Sequence, residues 1–224
     1  MLFKHNINWK YAFGEVILIF IGITLAIAFD NWNEKRILKK EELSFYQNFK
    51  RQILEDKGVI DGTNEYNKNY MVQYSEAIQI IEADDRSRMD TLGFIALKMT
   101  KYSDFDRPSD VYQSIVNSGQ LKLISNHDIT EKIQQLEETY VYFNRLEDIH
   151  YDLVMTVVPE LINVIKFTNR QVIDPAALYH VRFQNILSTA VTLMSEKEEV
   201  YLRALNQIET IVQLIDKEMT MIQE

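Results

Sequence analysis

The four residues Glu147-Asp148-Ile149-His150 come nearest to chemistry in this 224-residue chain. Glu-x-x-His spacing puts a carboxylate and an imidazole on one helix face, as di-iron helical bundles require. Those bundles need the motif twice together with two further glutamates, and the chain has no second copy. The four histidines, His5, His127, His150 and His180, form no i, i+4 pair and no His-Glu-x-x-His, so zinc is equally unsupported. Cysteine is absent, which removes thiolate ligands, thiol nucleophiles and disulfides together. No glycine-rich phosphate loop, Gly-x-Ser-x-Gly elbow or kinase signature occurs. The acid pairs Glu137-Glu138 and Glu198-Glu199 read as solvated faces or first turns. The expectation is a non-enzymatic protein without catalytic, cofactor-binding or metal residues. The enzymatic alternative is a site inside a helical bundle lined by Glu147 and His150, whose partners meet only in the fold.

Glu15 is the other candidate. It interrupts an apolar run that begins at Phe13, and from Val16 to Phe29 there is no charge. An acid there either serves as a proton or ion ligand, or sits in a first helical turn stabilised by the helix dipole and interfacial water. The run is at the short end for crossing a bilayer. Trp9 and Tyr11 precede it and Trp32 follows; Trp9 to Trp32 spans about 34 Å at 1.5 Å per residue. That spacing places aromatic anchors at both headgroup layers. Roughly a dozen Leu, Ile, Val and Phe residues at about −0.3 to −0.6 kcal/mol each favour insertion by several kcal/mol. A cleaved signal peptide fits Lys4, Lys10 and Ala26-Ile27-Ala28, but Trp9 and Glu15 are poor signal features. A soluble core helix would carry a polar face, and Val16 to Phe29 has none beyond Thr24. The reading is therefore an N-terminal tail at 1–12, a transmembrane helix at 13–31, a juxtamembrane helical stalk at 32–57 and a soluble helical bundle at 58–224. Gly14, Leu18, Gly22 and Ala26 recur every four residues and offer a small-residue packing face to a second copy or a partner helix.

The blocks Lys10-Tyr11-Ala12, Gly14-Glu15-Val16-Ile17-Leu18 and Asn31-Trp32-Asn33-Glu34 flank and open this segment. They resemble the N-terminal signature of a family of uncharacterised single-pass membrane proteins from Bacteroidota. Ser118-Gly119-Gln120-Leu121-Lys122-Leu123-Ile124 is similar to a mid-domain turn of the same family. The resemblance implies a bacterial inner-membrane address and carries no activity or functional residues. Lys35, Arg36, Lys39 and Lys40 outnumber Lys4 and Lys10, which by the positive-inside rule puts the large domain in the cytoplasm. Large domains translocate regardless of such counts, so the side of the membrane stays open.

Six glycines and three prolines in 224 residues leave few turns, which favours long helices and an all-α fold. Leu38, Phe45, Phe49 and Ile53 continue the apolar helix into the stalk, and Gly58 with Gly62 is expected to loosen its end. Tyr66, Tyr70, Tyr74, Ile78 and Ile81 mark one face of a further helix, read as a core face with wet phenol ends. Asp84 to Arg88 is a turn, followed by a short helix near 91–100. Ser109 is a candidate cap for another helix carrying Val111, Ile115 and Val116. Gly119 ends it in the left-handed position. Asn126 or Asp128 should open the longest soluble helix, through Ile133, Tyr140, Leu146 and Leu161, with Pro159 kinking or breaking it. Asp174-Pro175 restarts the chain with a cap and an N1 proline, and Leu178, Ile186, Leu187 and Leu193 point inward. Tyr201, Leu205, Ile208, Val212, Ile215, Met219 and Ile222 alternate spacings of four and three, a seam that pairs within the bundle or between chains.

The net charge of −9 argues against nucleic acid, and the basic cluster after the apolar segment is the single local exception. The expected partners are the lipid bilayer, other membrane or envelope proteins, and a second copy through the transmembrane helix. The function expected is a membrane-anchored helical interaction, scaffold or sensor protein. The alternatives are a subunit of an envelope transport or channel complex using the Glu15 region, and an enzyme within the bundle.

Overall fold

The computed structural model describes residues 9–101, 115 and 119–223. Its elements are α1 (Trp9–Glu82), α2 (Met89–Lys98), α3 (His127–Ile162), the short α4 (Pro175–Leu178) and α5 (Val181–Gln223). Three-residue and four-residue 3-10 turns stand at Arg86–Arg88 and Gln120–Leu123. The fold is all-α, and among the described residues the extended backbone amounts to one isolated bridge between Ile165 and Val172.

The first 74-residue helix joins what the sequence separates. Gly58 and Gly62 do not loosen it: α1 runs unbroken from Trp9 to Glu82, about 111 Å at 1.5 Å per residue. Both glycines lie on its exposed face with open space around them. The opposite face buries Ile53, Ile60, Tyr74 and Ala77, which outweighs a glycine penalty of about 1 kcal/mol each. The expected stalk is also shorter than 32–57, because burial begins at Glu42, Phe45 and Tyr46. Residues 13–41 are exposed throughout, so α1 projects about 43 Å beyond the bundle.

Local chemistry sets the remaining ends. Asp84 takes a left-handed φ of 46°, and the Asp85 carboxylate accepts from Ser87 N at 3.1 Å to start the turn into α2. Gly119 adopts φ 71° ahead of the second 3-10 turn. The Asn126 side chain caps α3, accepting from Asp128 N and Ile129 N. Pro159 does not break that helix; α3 continues to Ile162, one turn further. At 36 residues it is shorter than α5 at 43, so the longest bundle-bound helix after α1 is the last one. Asp174 caps α4 with Pro175 at its start, and the chain pauses at Tyr179 and His180 before α5. Of the helix expected from Ser109, only Ile115 is described; it is helical and buried, and its neighbours lie outside the described residues.

Helix α5 runs antiparallel to α1 and holds a single register. Lys50 meets Asp216 at 2.5 Å, Lys57 meets Glu209 at 2.7 Å, Lys68 meets Glu198 at 3.2 Å, and Gln184 donates to Glu82 at 3.2 Å. The residue numbers in each of these pairs add to 266, so there is no slip over 33 positions of α1. Helix α3 is also antiparallel to α5, through Asn126 to Glu218 and Arg182 to Glu160. It therefore runs parallel to α1, with Ser125 beside Glu42 and Tyr140 beside Asp56.

Two apolar clusters result. The one nearer the projecting segment joins Phe45, Phe49 and Ile60 of α1 with Ile129 to Leu146 of α3 and Val200 to Ile215 of α5. The seam expected along α5 lies here: Tyr201, Ile208 and Ile215 are buried, while Leu205, Val212, Met219 and Ile222 pack at its margin. The farther cluster joins Tyr74 to Ile81, all of α2's apolar face, Val157 to Ile165, Leu178 and Phe183 to Met194. Tyr74 is fully inside and Tyr70 partly so, which makes the tyrosine stripe a core face.

Candidate functional site

Between the two clusters the bundle is polar. Glu147 and His150 face inward from α3, Lys197 from α5, and Asn64 and Asn67 from α1, all buried. The constant registers put them at one level: α1 residues near 64–67 stand opposite α5 residues near 199–202, and opposite α3 residues about 84 positions later in the chain.

Lys197 Nζ donates to Glu147 Oε2 at 2.8 Å and approaches His150 Nδ1 at 3.1 Å. An ammonium has only donors, so Nδ1 accepts and the neutral imidazole carries its proton on Nε2. Burial, followed by the Lys197 charge, pushes the His150 pKa down to about 3. Tyr201 Oη donates to Glu147 Oε1 at 2.8 Å, so both carboxylate oxygens are engaged from α5. Asn67 Nδ2 donates to the Met194 carbonyl at 2.7 Å, tying α1 to α5 at the same level. The Asn64 and Asn67 Oδ1 atoms have no hydrogen-bond partner in the described structure.

A second buried polar group lies at the end of the bundle nearest the projecting segment. The Glu42 carboxylate accepts from Tyr46 Oη at 3.0 Å, Ser125 N at 2.8 Å and Ser125 Oγ at 3.0 Å. Burial first, and then the Glu42 charge, hold the Tyr46 phenol well above its ordinary range. About three turns beyond the apolar segment, this carboxylate fastens α1 to the residues that enter α3.

Glu147 and His150 do share one helix face, as their spacing requires. What fills the remaining corner of their site is the Lys197 ammonium, a cation that competes directly with a metal for the same carboxylate. Among the described residues no group of three His, Cys, Asp or Glu side chains converges on one point. The arrangement holds charge and fixes helix register; it presents no nucleophile to solvent. His127 is the exposed first residue of α3, and His180 Nδ1 accepts from Arg182 N at 3.1 Å beside a cleft of about 110 Å³. His5 lies outside the described residues.

The residues of the apolar segment are placed differently. Gly14, Leu18, Gly22 and Ala26 are exposed on α1, with open space where a Cβ would stand on either glycine, and Glu15 is exposed beside them. Trp9 and Tyr11 fall in the first turns of α1, their side chains outside the described residues. The Trp32 ring lies 5.7 Å from that of Phe29 in a tilted contact and carries the Arg36 guanidinium 5.7 Å from its centre. The segment is long and apolar enough to cross a membrane, with a mean hydropathy of 2.1 and none of it buried.

Sequence reasoning missed Lys197, Asn64, Asn67 and Glu42 as inward-facing groups. The signal was present in their register. Lys197 stands four positions before Tyr201 on the seam of α5, and Asn64 and Asn67 continue the Ile53 and Ile60 face towards Tyr74. A polar side chain on an apolar stripe is the pattern of a buried network.

An all-α chain of this kind, with one projecting apolar helix and an interior ion pair, matches no characterised protein and no solved structure. Residues 15–177 match the model of a family of unknown function, DUF6090, and the chain belongs to that family. The match runs from the apolar segment into α4, and α5, which supplies Lys197 and Tyr201, follows it.

Proposed function

We propose that this protein is a single-pass membrane protein whose helical bundle is an interaction or sensor module, held in the bacterial inner membrane by residues 13–31. The observation that carries the reading is that the apolar segment and the bundle core share one unbroken helix. A rotation or axial shift of the segment moves Glu42, Asp56, Asn64 and Asn67 directly, with no flexible joint between. Val16 to Phe29, fourteen consecutive exposed residues that are apolar but for Thr24, have no place in water, and lipid is the environment that satisfies them. The buried polar layer supports a signalling role, because paired interior charges specify one helix register over its neighbours. Gly14, Leu18, Gly22 and Ala26 then give a second copy or a partner helix a close-packing face.

The test is fractionation followed by crosslinking in intact membranes. The full chain should stay in the pellet through an alkaline wash, and cysteines introduced at Gly14 or Gly22 should crosslink to a second copy or to a partner. Release into the supernatant without detergent ends the membrane reading. A pelleted protein that crosslinks to nothing ends the interaction reading and leaves the anchor standing. A reporter fused at Glu224 assigns the compartment.

A further inference from the structure

The stretch of α1 between the apolar segment and the bundle is sorted by charge. With 3.6 residues per turn, Lys35, Arg36, Lys39 and Lys40 fall within an arc of about 140° centred near Trp32, and Asp30, Glu34 and Glu41 within about 40° on the opposite side. All seven are exposed. None of the four cations forms an ion pair among the described residues, although five other lysines and arginines of the bundle do so with bundle acids across helices. The fourth nearby acid, Glu42, is turned into the bundle and engaged by Tyr46 and Ser125, so it forms no ion pair with them. The four cations rise about 4 to 12 Å beyond Trp32 along the helix axis, the depth of a headgroup layer when the segment spans a bilayer.

We infer that Trp32, Lys35, Arg36, Lys39 and Lys40 form a docking face for anionic phospholipid headgroups. The inference rests on the membrane reading above. A chain with a net charge of −9 repels an anionic surface over most of its area, so this face determines how the stalk meets one. Arg36 over the Trp32 ring presents its guanidinium at the level of the aromatic belt, where it can grip a phosphate in two-point fashion while the long lysine stems reach alongside. Each cation near a charged leaflet adds attraction that falls off within a Debye length, so the effect is strongest at low salt. With the acids on the far face, the stalk is drawn to the leaflet by one side, and that bias sets the rotation of α1 delivered to the bundle.

The experiment reconstitutes the full chain carrying Trp9→Phe, which leaves Trp32 as the sole tryptophan, into phosphatidylcholine vesicles containing either brominated phosphatidylglycerol or brominated phosphatidylcholine at equal mole fraction. Brominated phosphatidylglycerol should quench Trp32 about twofold more strongly at low salt, with the excess shrinking as salt rises. The additional change Lys35→Gln, Arg36→Gln, Lys39→Gln and Lys40→Gln should remove the excess and leave the quenching by brominated phosphatidylcholine intact. Equal quenching by both lipids in the chain with all four cations overturns the inference, as does an excess that survives the four glutamines. Absence of quenching by either lipid, with the protein failing to float with the vesicles, instead overturns the membrane reading itself.

Discussion

Replacing Lys197 by Met isolates what the buried layer contributes. The substitution keeps the length and most of the apolar stem but deletes the ammonium that lies 2.8 Å from Glu147 and 3.1 Å from His150. The two side chains of the ion pair are 1% and 6% exposed, so the orphaned carboxylate cannot turn to solvent. Removing one partner of such a pair costs about 3–5 kcal/mol. Lys57→Met is the matched control, since its pair with Glu209 is 31% and 56% exposed and is worth less than about 1 kcal/mol. The assay is guanidinium unfolding of the full chain in detergent at pH 7.5, followed by circular dichroism at 222 nm. The double variant Glu147→Gln with Lys197→Met should recover about 2 kcal/mol or more, because an amide still accepts from Tyr201 and leaves no unpaired charge. Equal losses for Lys197→Met and Lys57→Met, or no recovery in the double variant, would refute the argument that the interior charges are sealed from water.

His150 is held near a pKa of about 3 when folded against about 6.5 when unfolded, so only the unfolded chain takes up its proton between those values. Stability therefore falls as pH drops through this window, by about 2 kcal/mol between neutrality and pH 5 from this group. The His150→Gln variant should lose that part of the slope, measured as the difference between the two unfolding profiles at pH 5 to 7. Parallel profiles would mean that the imidazole is not buried neutral. Gly58→Ala, on an exposed helix face with open space, should stabilise the chain by about 0.5–1 kcal/mol. Gly93→Ala in α2 should do the reverse by about 1 kcal/mol, since its methyl would stand 2.6 Å from Val172 Cγ2, a short branched side chain with little room to yield. Thermal unfolding of the two variants side by side checks the pair of signs.

The helical class, the apolar segment and most helix ends were legible in the residues themselves, for a physical reason. Helix capping at Asn126 and Asp174, the left-handed turn at Gly119 and the seam from Tyr201 are local effects, set by side chains within a few positions of one another. Sequence reading failed where a distant helix intervened. Gly58 and Gly62 look like a helix end, yet the face opposite them is covered by α5, and that burial keeps α1 continuous to Glu82. Glu147 and His150 share a helix face by their spacing, but nothing near them in sequence announces Lys197, which arrives from 47 positions beyond His150. The same holds for Glu42, whose partner Ser125 is 83 residues away. The pattern of types along the chain determined which stretches are helices and which face of each is apolar. Only the registers of α1 and α3 against α5, a long-range packing outcome, decided that Asn64, Asn67, Glu147, His150 and Lys197 share one buried layer, because a periodicity defines a stripe and says nothing about which stripe lies against it.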